Sequence, residues 1–270
     1  MRVLAFVALA GCAGAEAMTL PPQPAAPATG SADQSHELGL IPGESMAFDM
    51  HLGGILAGEA QLAVGEIGVV DGHRAIVVKS RAATAGAARL VKDIVDEATT
   101  TIDADTGRPL LLDTSVTMND KTSTAHATFT GSVADVIYTK PDDPTPHNYH
   151  VDFGKVTVHD SHSAMAQLRS WRAAAGTTKQ VYVVGGRRLW RVDVTFVGNE
   201  TVGSALGNRK TVHLRGAAFH AKPNLQLESG NATRTFDVWI SDDADRVPIR
   251  MTAHIELGDV AMDLTEYNRP

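Results

Sequence analysis

Large aliphatic residues alternate with polar ones along most of this chain, the period of two expected of half-buried β-strands. The pattern is clearest from Phe236 to Tyr267. Phe236, Val238 and Ile240 alternate with Asp237, Trp239 and Ser241, and a turn-forming run leads from Asp242 to Arg246. Val247, Ile249, Met251, Ala253, Ile255 and Leu257 then resume the alternation. Placing Ser241 opposite Arg246 sets Val238 against Ile249, Phe236 against Met251 and Asp237 against Arg250. Gly258-Asp259 reads as a two-residue hairpin that brings Val260, Met262 and Leu264 opposite Leu257, Ile255 and Ala253. The expected element is an antiparallel meander with one apolar and one wet face.

The same alternation begins at Met46, Phe48, Met50 and Leu52, breaks at Gly53-Gly54, and resumes with Ala60, Leu62 and Val64. Asp71-Gly72 is a hairpin signal before Ile76 and Val78, and Gly86 to Val91 suits one helical turn. Further strands are expected over 94–102, over 110–118, and as a pair within 122–139 broken at Gly131-Ser132. The run from Lys140 to Asn148 contains Pro141, Pro144 and Pro146 and reads as a loop. One helix is predicted over about 161–175. Asp160 or Ser161 can cap it, Met165, Leu168, Trp171 and Ala175 recur at helical spacing, and Gly176 ends it. Met165, Leu168 and Trp171 should face the sheet, with Arg169 and Arg172 in solvent. Strands resume around Val181 and Val183, turn at Gly185-Gly186, continue through Trp190 to Phe196, and recur over 211–219. The fold class is therefore mostly β: a large antiparallel, strongly curved sheet, either a partly open barrel or a β-sandwich, with one mid-chain helix.

Composition narrows the class. With 43% hydrophobic and 20% charged residues among 270, the chain is of ordinary globular type. A formal charge of -7 without a basic run argues against a nucleic-acid partner. Cys12 is the single cysteine, so neither a disulfide framework nor a thiolate metal site is available. Its place matters. Arg2, the apolar run Val3 to Ala8, and Leu9-Ala10-Gly11-Cys12 have the order of an export signal ending in a bacterial lipobox, which marks Cys12 for acylation. The competing reading is ordinary cleavage at Ala15-Glu16-Ala17. Residues 13–42, rich in proline and alanine, read as a tether with a reach on the order of 30 Å. The expected organisation is a signal segment over 1–12, a tether over 13–42 and a single β domain over 43–270.

Candidate chemistry is sparse. His147/His150 and His159/His162 are pairs spaced by three, a separation that brings two imidazoles to one metal only on a helix. Both pairs fall at element junctions, and no third ligand pattern accompanies them. His159-Asp160-Ser161 contains the residue types of a nucleophilic triad, but consecutive residues cannot converge on one another, and no Gly-x-Ser-x-Gly elbow is present. Asp242, Asp243 and Asp245 lack the glycine and glutamate of a calcium loop. Trp190 is in phase with Val192 and Val194 and belongs to the core. Trp239 is out of phase and lies on the wet face, either covered or open to a ligand. No cofactor, metal or catalytic residue is assigned.

Three stretches carry a family likeness: Met46 to Val64 with Gly53, Ile55 and Ala57-Gly58-Glu59-Ala60; Val158-His159-Asp160-Ser161 running into Ala164 to Arg169 and Gly176; and Phe236 to Asp243 with Arg246-Val247-Pro248-Ile249. On these residues the chain resembles the exported bacterial family known as domain of unknown function 3108. The resemblance implies an envelope β protein and supplies no catalytic residues. Two functions remain in view. One is a non-enzymatic envelope lipoprotein, held at the membrane by its lipid and binding or scaffolding an apolar ligand, a glycan or an envelope protein. The other is a hydrolase or metal-dependent enzyme using the His147–His162 region, which requires those histidines to cluster.

Overall fold

The computed structural model describes residues 38–270, apart from 155, 186, 187, 256 and 257. The signal segment, Cys12 and most of the expected tether lie outside the described residues. The N-terminal half is a meander of β1 (Ser45–Leu52), β2 (Ile55–Val64), β3 (Gly68–Val70), β4 (His73–Thr84), β5 (Ile94–Asp103), β6 (Pro109–Met118), β7 (Lys121–Thr130), β8 (Val133–Lys140) and β9 (Asp143–Asp152). A six-residue helix α1 (Gly86–Val91) links β4 to β5. Mid-chain come β10 (Val158–His159) and helix α2 (Ser161–Ser170). The C-terminal half is a second meander of β11 (Thr178–Gly185), β12 (Arg188–Ser204), β13 (Gly207–Ala221), β14 (Arg234–Ser241), β15 (Pro248–Ile255) and β16 (Gly258–Asn268).

Among the described residues all 16 strands form one sheet, in the order β10-β11-β12-β13-β14-β15-β16-β1-β2-β4-β5-β6-β7-β8-β9, with β3 attached to β4. The first and last long strands, β1 and β16, pair in the middle and join the two meanders. Every described pairing is antiparallel except β10 with β11. The sheet has two ends, so it is a barrel that hydrogen bonding does not close. Side chains close it instead: Leu112, Ala127, Phe129 and Val136 from one end share a core with Val184, Leu189 and Ala221 from the other. Phe153 and Val158, from the chain that bridges the gap, complete this core.

The Asp71-Gly72 turn formed as expected. Asp71 (φ 49°) and Gly72 (φ 84°) connect Val70 to His73 in two residues. Registers were less legible. Val238 faces Met251 and Phe236 faces Ala253, a slip of two from the expected pairing, with a bulge between Trp239 and Ile240. In the last hairpin Ile255 pairs with Gly258 and His254 with Asp259, so Gly258-Asp259 already belongs to the returning strand and is not the turn. Both corrections are even-numbered slips. Up to Trp239 they leave side chains on their expected faces, which is all that a period of two determines; beyond it the bulge pairs Ile240 with Pro248, and Pro248, expected on the wet face, lines the interior cavity.

Two further expectations are corrected. The proline-rich run is not all loop, because β9 begins at Asp143 and passes through Pro144 and Pro146. It has one neighbour, β8, and a missing N–H is harmless on an edge strand. The packed body also starts before residue 43. Leu38 and Leu40 are buried with Leu62, Val64, Ile76, Val78 and Ala166. Gly39 between them (φ 67°) lies so close to α2 that a Cβ would stand 2.0 Å from the Ala166 carbonyl oxygen.

Candidate functional site

Helix α2 lies on the inner side of the sheet and occupies one end of the barrel. Asp160 is its N-cap: the carboxylate accepts from the backbone N–H groups of His162 and Ser163, and Ser163 Oγ accepts from Asp160 N at 3.1 Å. This reciprocal box satisfies the orphan donors of the first turn. Asp160 also anchors a buried chain of polar groups. The Thr100 hydroxyl donates to Asp160 Oδ2 at 2.5 Å, Thr100 Oγ1 lies 2.7 Å from His162 Nδ1, and His162 Nε2 lies 2.9 Å from Ser80 Oγ. Because the Thr100 proton is committed to Asp160, His162 Nδ1–H donates to Thr100 and the Ser80 hydroxyl donates to Nε2. Burial holds the His162 pKa below its ordinary value and pushes that of His159 down to about 4, so both rings are neutral at pH 7.

The other end of the helix is bolted by charge. Arg169, expected in solvent, is 2% exposed, and it grips the fully buried Glu44 through Nη1–Oε1 at 2.5 Å and Nη2–Oε2 at 2.9 Å. Its Nε donates to the Arg246 carbonyl at 2.9 Å, and Nη2 donates to the Asp245 carbonyl. Arg246 answers in kind: its Nε donates to the Arg169 carbonyl and Nη2 to the Trp171 carbonyl, both at 3.0 Å. Each arginine thus satisfies the other's backbone. Arg246 holds a left-handed conformation (φ 53°), with burial and the neighbouring Arg172 pulling its pKa down to about 10. Capture of these carbonyls also explains why α2 stops at Ser170, five residues before the expected end. Beside the helix the interior leaves a cavity of about 20 Å³ lined by Leu40, Phe48, Leu62, Met165 and Arg169, room for about one water.

The opposite end of the barrel differs. Asp96 stands on the inner face of β5, between Ala82 of β4 and Val116 of β6, and is 5% exposed. Among the described residues no hydrogen bond or cation reaches its carboxylate, and burial together with Glu97 pushes its pKa up to about 7. Toward the rim, the next inner residues include Met50, Thr84, Ile94 and Met118, and Met50, Val116 and Met118 are only half-buried. Gly58 leaves space for Met50, whose Cε would stand 2.4 Å from an added Cβ.

The sequence-nominated residues disperse. His147 and His150 lie on β9 against Asp143 and Asp135, whereas His159 and His162 are buried at the plug. Among the described residues no group of three His, Cys, Asp or Glu could hold a metal. Asp243 is a turn residue whose Oδ1 accepts from Ser241 Oγ and from the Asp245 and Arg246 backbone. Trp190 is buried as expected. Trp239 is half-buried: it stacks on His213 at 4.6 Å and donates to Glu200 at 2.6 Å. An outer-face depression of about 710 Å³ contains Asp237, Asp259 and Asp263, but each is paired, to His213 and Arg215, to His254, and to Arg250. Asp96 was missed, although it stands in phase with Ile94, Ala98 and Ile102, an acid on an apolar strand face.

Two of the three likeness-bearing stretches meet at the plug, the start of α2 and the β14–β15 turn with Arg246, while the β1–β2 stretch runs from the plug to the opposite rim. The family model "Protein of unknown function (DUF3108)" matches residues 47–265, and the chain belongs to that family. A β-barrel-like protein of domain of unknown function DUF1849 from Brucella abortus shares the fold, with TM-score 0.60 and 12% identity over 85% of this chain and 98% of that one. The hypothetical lipoprotein YmcC from Escherichia coli aligns over 88% of this chain and 90% of its own at 12% identity, with a TM-score of 0.30, too low to carry an argument. No curated protein matches the sequence significantly.

Proposed function

We propose that the protein is a non-enzymatic, membrane-anchored envelope lipoprotein whose barrel binds an apolar ligand at the end opposite the helix. The ligand would present an amine or other strong donor to Asp96. The observation carrying this reading is the carboxylate itself, 5% exposed on the inner wall with no partner among the described residues. A buried acid without a partner is costly, and half-buried Met50, Val116 and Met118 beside it supply apolar contact for the rest of a ligand. Dispersal of the histidines, and burial of Ser80, Asp160 and His162 within the plug, support binding over hydrolysis. Anchoring rests on Arg2, the apolar run to Ala8 and the lipobox at Cys12.

A dansyl-labelled long-chain alkylamine tests the site. Its emission should shift to the blue on binding, and its affinity should rise as the pH passes upward through about 7 and Asp96 ionises. Asp96→Asn should weaken it by roughly tenfold or more, the loss of one charge-assisted hydrogen bond. No binding, or equal binding by the variant, rejects the site. Anchoring is read separately by fatty-acid labelling, which should mark the wild type and not Cys12→Ala.

A further inference from the structure

The rim on the Asp96 side of the barrel carries a cluster of exposed aliphatic residues that the packing of the domain does not use. Leu90 is 90% exposed, Val91 87%, Ile55 73% and Leu56 45%. They come from two elements held side by side: Ile55 and Leu56 follow the β1–β2 turn, and Leu90 and Val91 end α1. The Ala85 N–H, just before α1, donates to the Ala57 carbonyl at 2.9 Å. The helix end is tied down as well, since Asp93 and Asn119 exchange hydrogen bonds at 3.0 and 2.9 Å. The cluster is therefore presented on a fixed support.

We infer that this rim inserts into a lipid surface. Its chemistry favours lipid over protein. The four side chains are aliphatic, with no aromatic among them, whereas the cores of protein interfaces are enriched in aromatic residues and arginine. The nearest arginine, Arg89, is engaged by Asp93 at 3.1 Å. The chain's own N-terminus supplies a reason for a bilayer to be near. Leu38 lies 26 residues after Cys12, and that length of chain spans at most about 90 Å. An acylated Cys12 would therefore keep the whole domain, rim included, within reach of the membrane surface. The insertion reading rests on that anchoring, and it places the Asp96 end of the barrel against the lipid from which an apolar ligand could enter. With Arg89 paired and Lys92 the one further cation on the segment, insertion is driven by apolar burial and should be nearly independent of salt.

The test uses the full chain carrying Cys12→Ala, which removes the anchor and leaves no native thiol. A polarity-sensitive nitrobenzoxadiazole label is placed at Leu90→Cys or, as a control, at Leu206→Cys. Leu206, 36% exposed, follows Ser204 at the far end of the long β12–β13 hairpin, on the plug side. With phosphatidylcholine vesicles, and equally with vesicles containing phosphatidylglycerol, the label at residue 90 should brighten and shift to the blue. Spin-labelled acyl chains should quench it, while the label at 206 stays unchanged. A Val91→Asp substitution in the same chain should abolish the response without changing the melting temperature. No quenching at 90, equal quenching at both positions, or a concentration-dependent shift without vesicles would overturn the inference, the last outcome assigning the rim to a second copy of the chain. Failure of acylation would leave this readout untouched, so the two claims fail separately.

Discussion

Glu44 and Asp96 are both buried carboxylates on the inner side of one sheet, and their surroundings are opposite. Glu44 has a bidentate arginine, the Ile41 backbone N–H at 3.0 Å and the Tyr267 hydroxyl at 3.5 Å. Tyr267 in turn has its pKa raised by burial and by Glu44 and Asp245, so it remains a donor. Asp96 has no such partner among the described residues. The first carboxylate is a fixed part of the plug; the second has unused acceptor capacity. One end of the barrel is thus completed by its own chain, and the other is left with valences that a ligand can satisfy.

The comparison breaks first at the plug. Arg169→Met should destabilise by about 3–5 kcal/mol, because it leaves Glu44 buried without its cation. Chemical denaturation should show a loss at least as large as that of Leu168→Ala, for which truncation of a buried leucine costs about 2–5 kcal/mol. Replacing both partners with Glu44→Leu and Arg169→Met should recover part of that loss; a double variant as unstable as the single would mean that the lost bonds to the 245 and 246 carbonyls dominate.

Asp96→Asn should act in the opposite direction at neutral pH. The folded state holds the Asp96 proton up to about pH 7, whereas an unfolded aspartate releases it near 3.8. The native state therefore binds more protons between those values, and this group's contribution to stability falls as pH rises through that window and is lowest above 7. The shift corresponds to roughly 4 kcal/mol at most, less the cost of burying the amide, so a gain of about 1–3 kcal/mol is expected at pH 8 and little change at pH 4. His159, neutral down to about 4, contributes the reverse slope, losing stability as pH falls from 6.5. Removing Asp96 should unmask that slope, so the variant should unfold more steeply with acid than the wild type. Identical pH profiles would show that Asp96 is not held protonated.

Smaller effects complete the series. Asp160→Ala should cost about 1–2 kcal/mol for the cap, with loss of protection of the first helical turn in hydrogen exchange. His147→Ala, on the exposed edge strand, should change stability by less than about 0.5 kcal/mol by the same denaturation measurement.

Most strand faces, the Asp71-Gly72 turn and the helix start were legible because each is decided within a few residues. Asp71-Gly72 and Asp160 with Ser163 need no distant partner. The burial of Arg169 was not legible, since its counter-charge lies 125 residues away and a basic residue beside Leu168 ordinarily faces water. The helix end was misplaced for the same reason: Trp171 and Ala175 keep helical spacing, and the groups that stop the helix come from Arg246. Even-numbered register slips went undetected because they exchange one apolar neighbour for another. Asp96 was legible in principle, as the one acid in phase with Ile94, Ala98 and Ile102, but an isolated acid gives no sign of what lies opposite.

The pairing of β1 with β16 also sets an order of events. Ser45 meets Asn268, so the ladder that joins the two meanders links the beginning of the domain to its end. A chain made from its N-terminus can zip β1 to β9 as successive local hairpins while the outer edge of β1 waits, unpaired, for the last strand to be synthesised. Until then Phe48 and Met46 lack Leu264 and Met262, and Glu44 lacks its neighbour Tyr267. The slow, long-range step is thus the pairing of β1 with β16, and the ladder that joins the two meanders is the last to close.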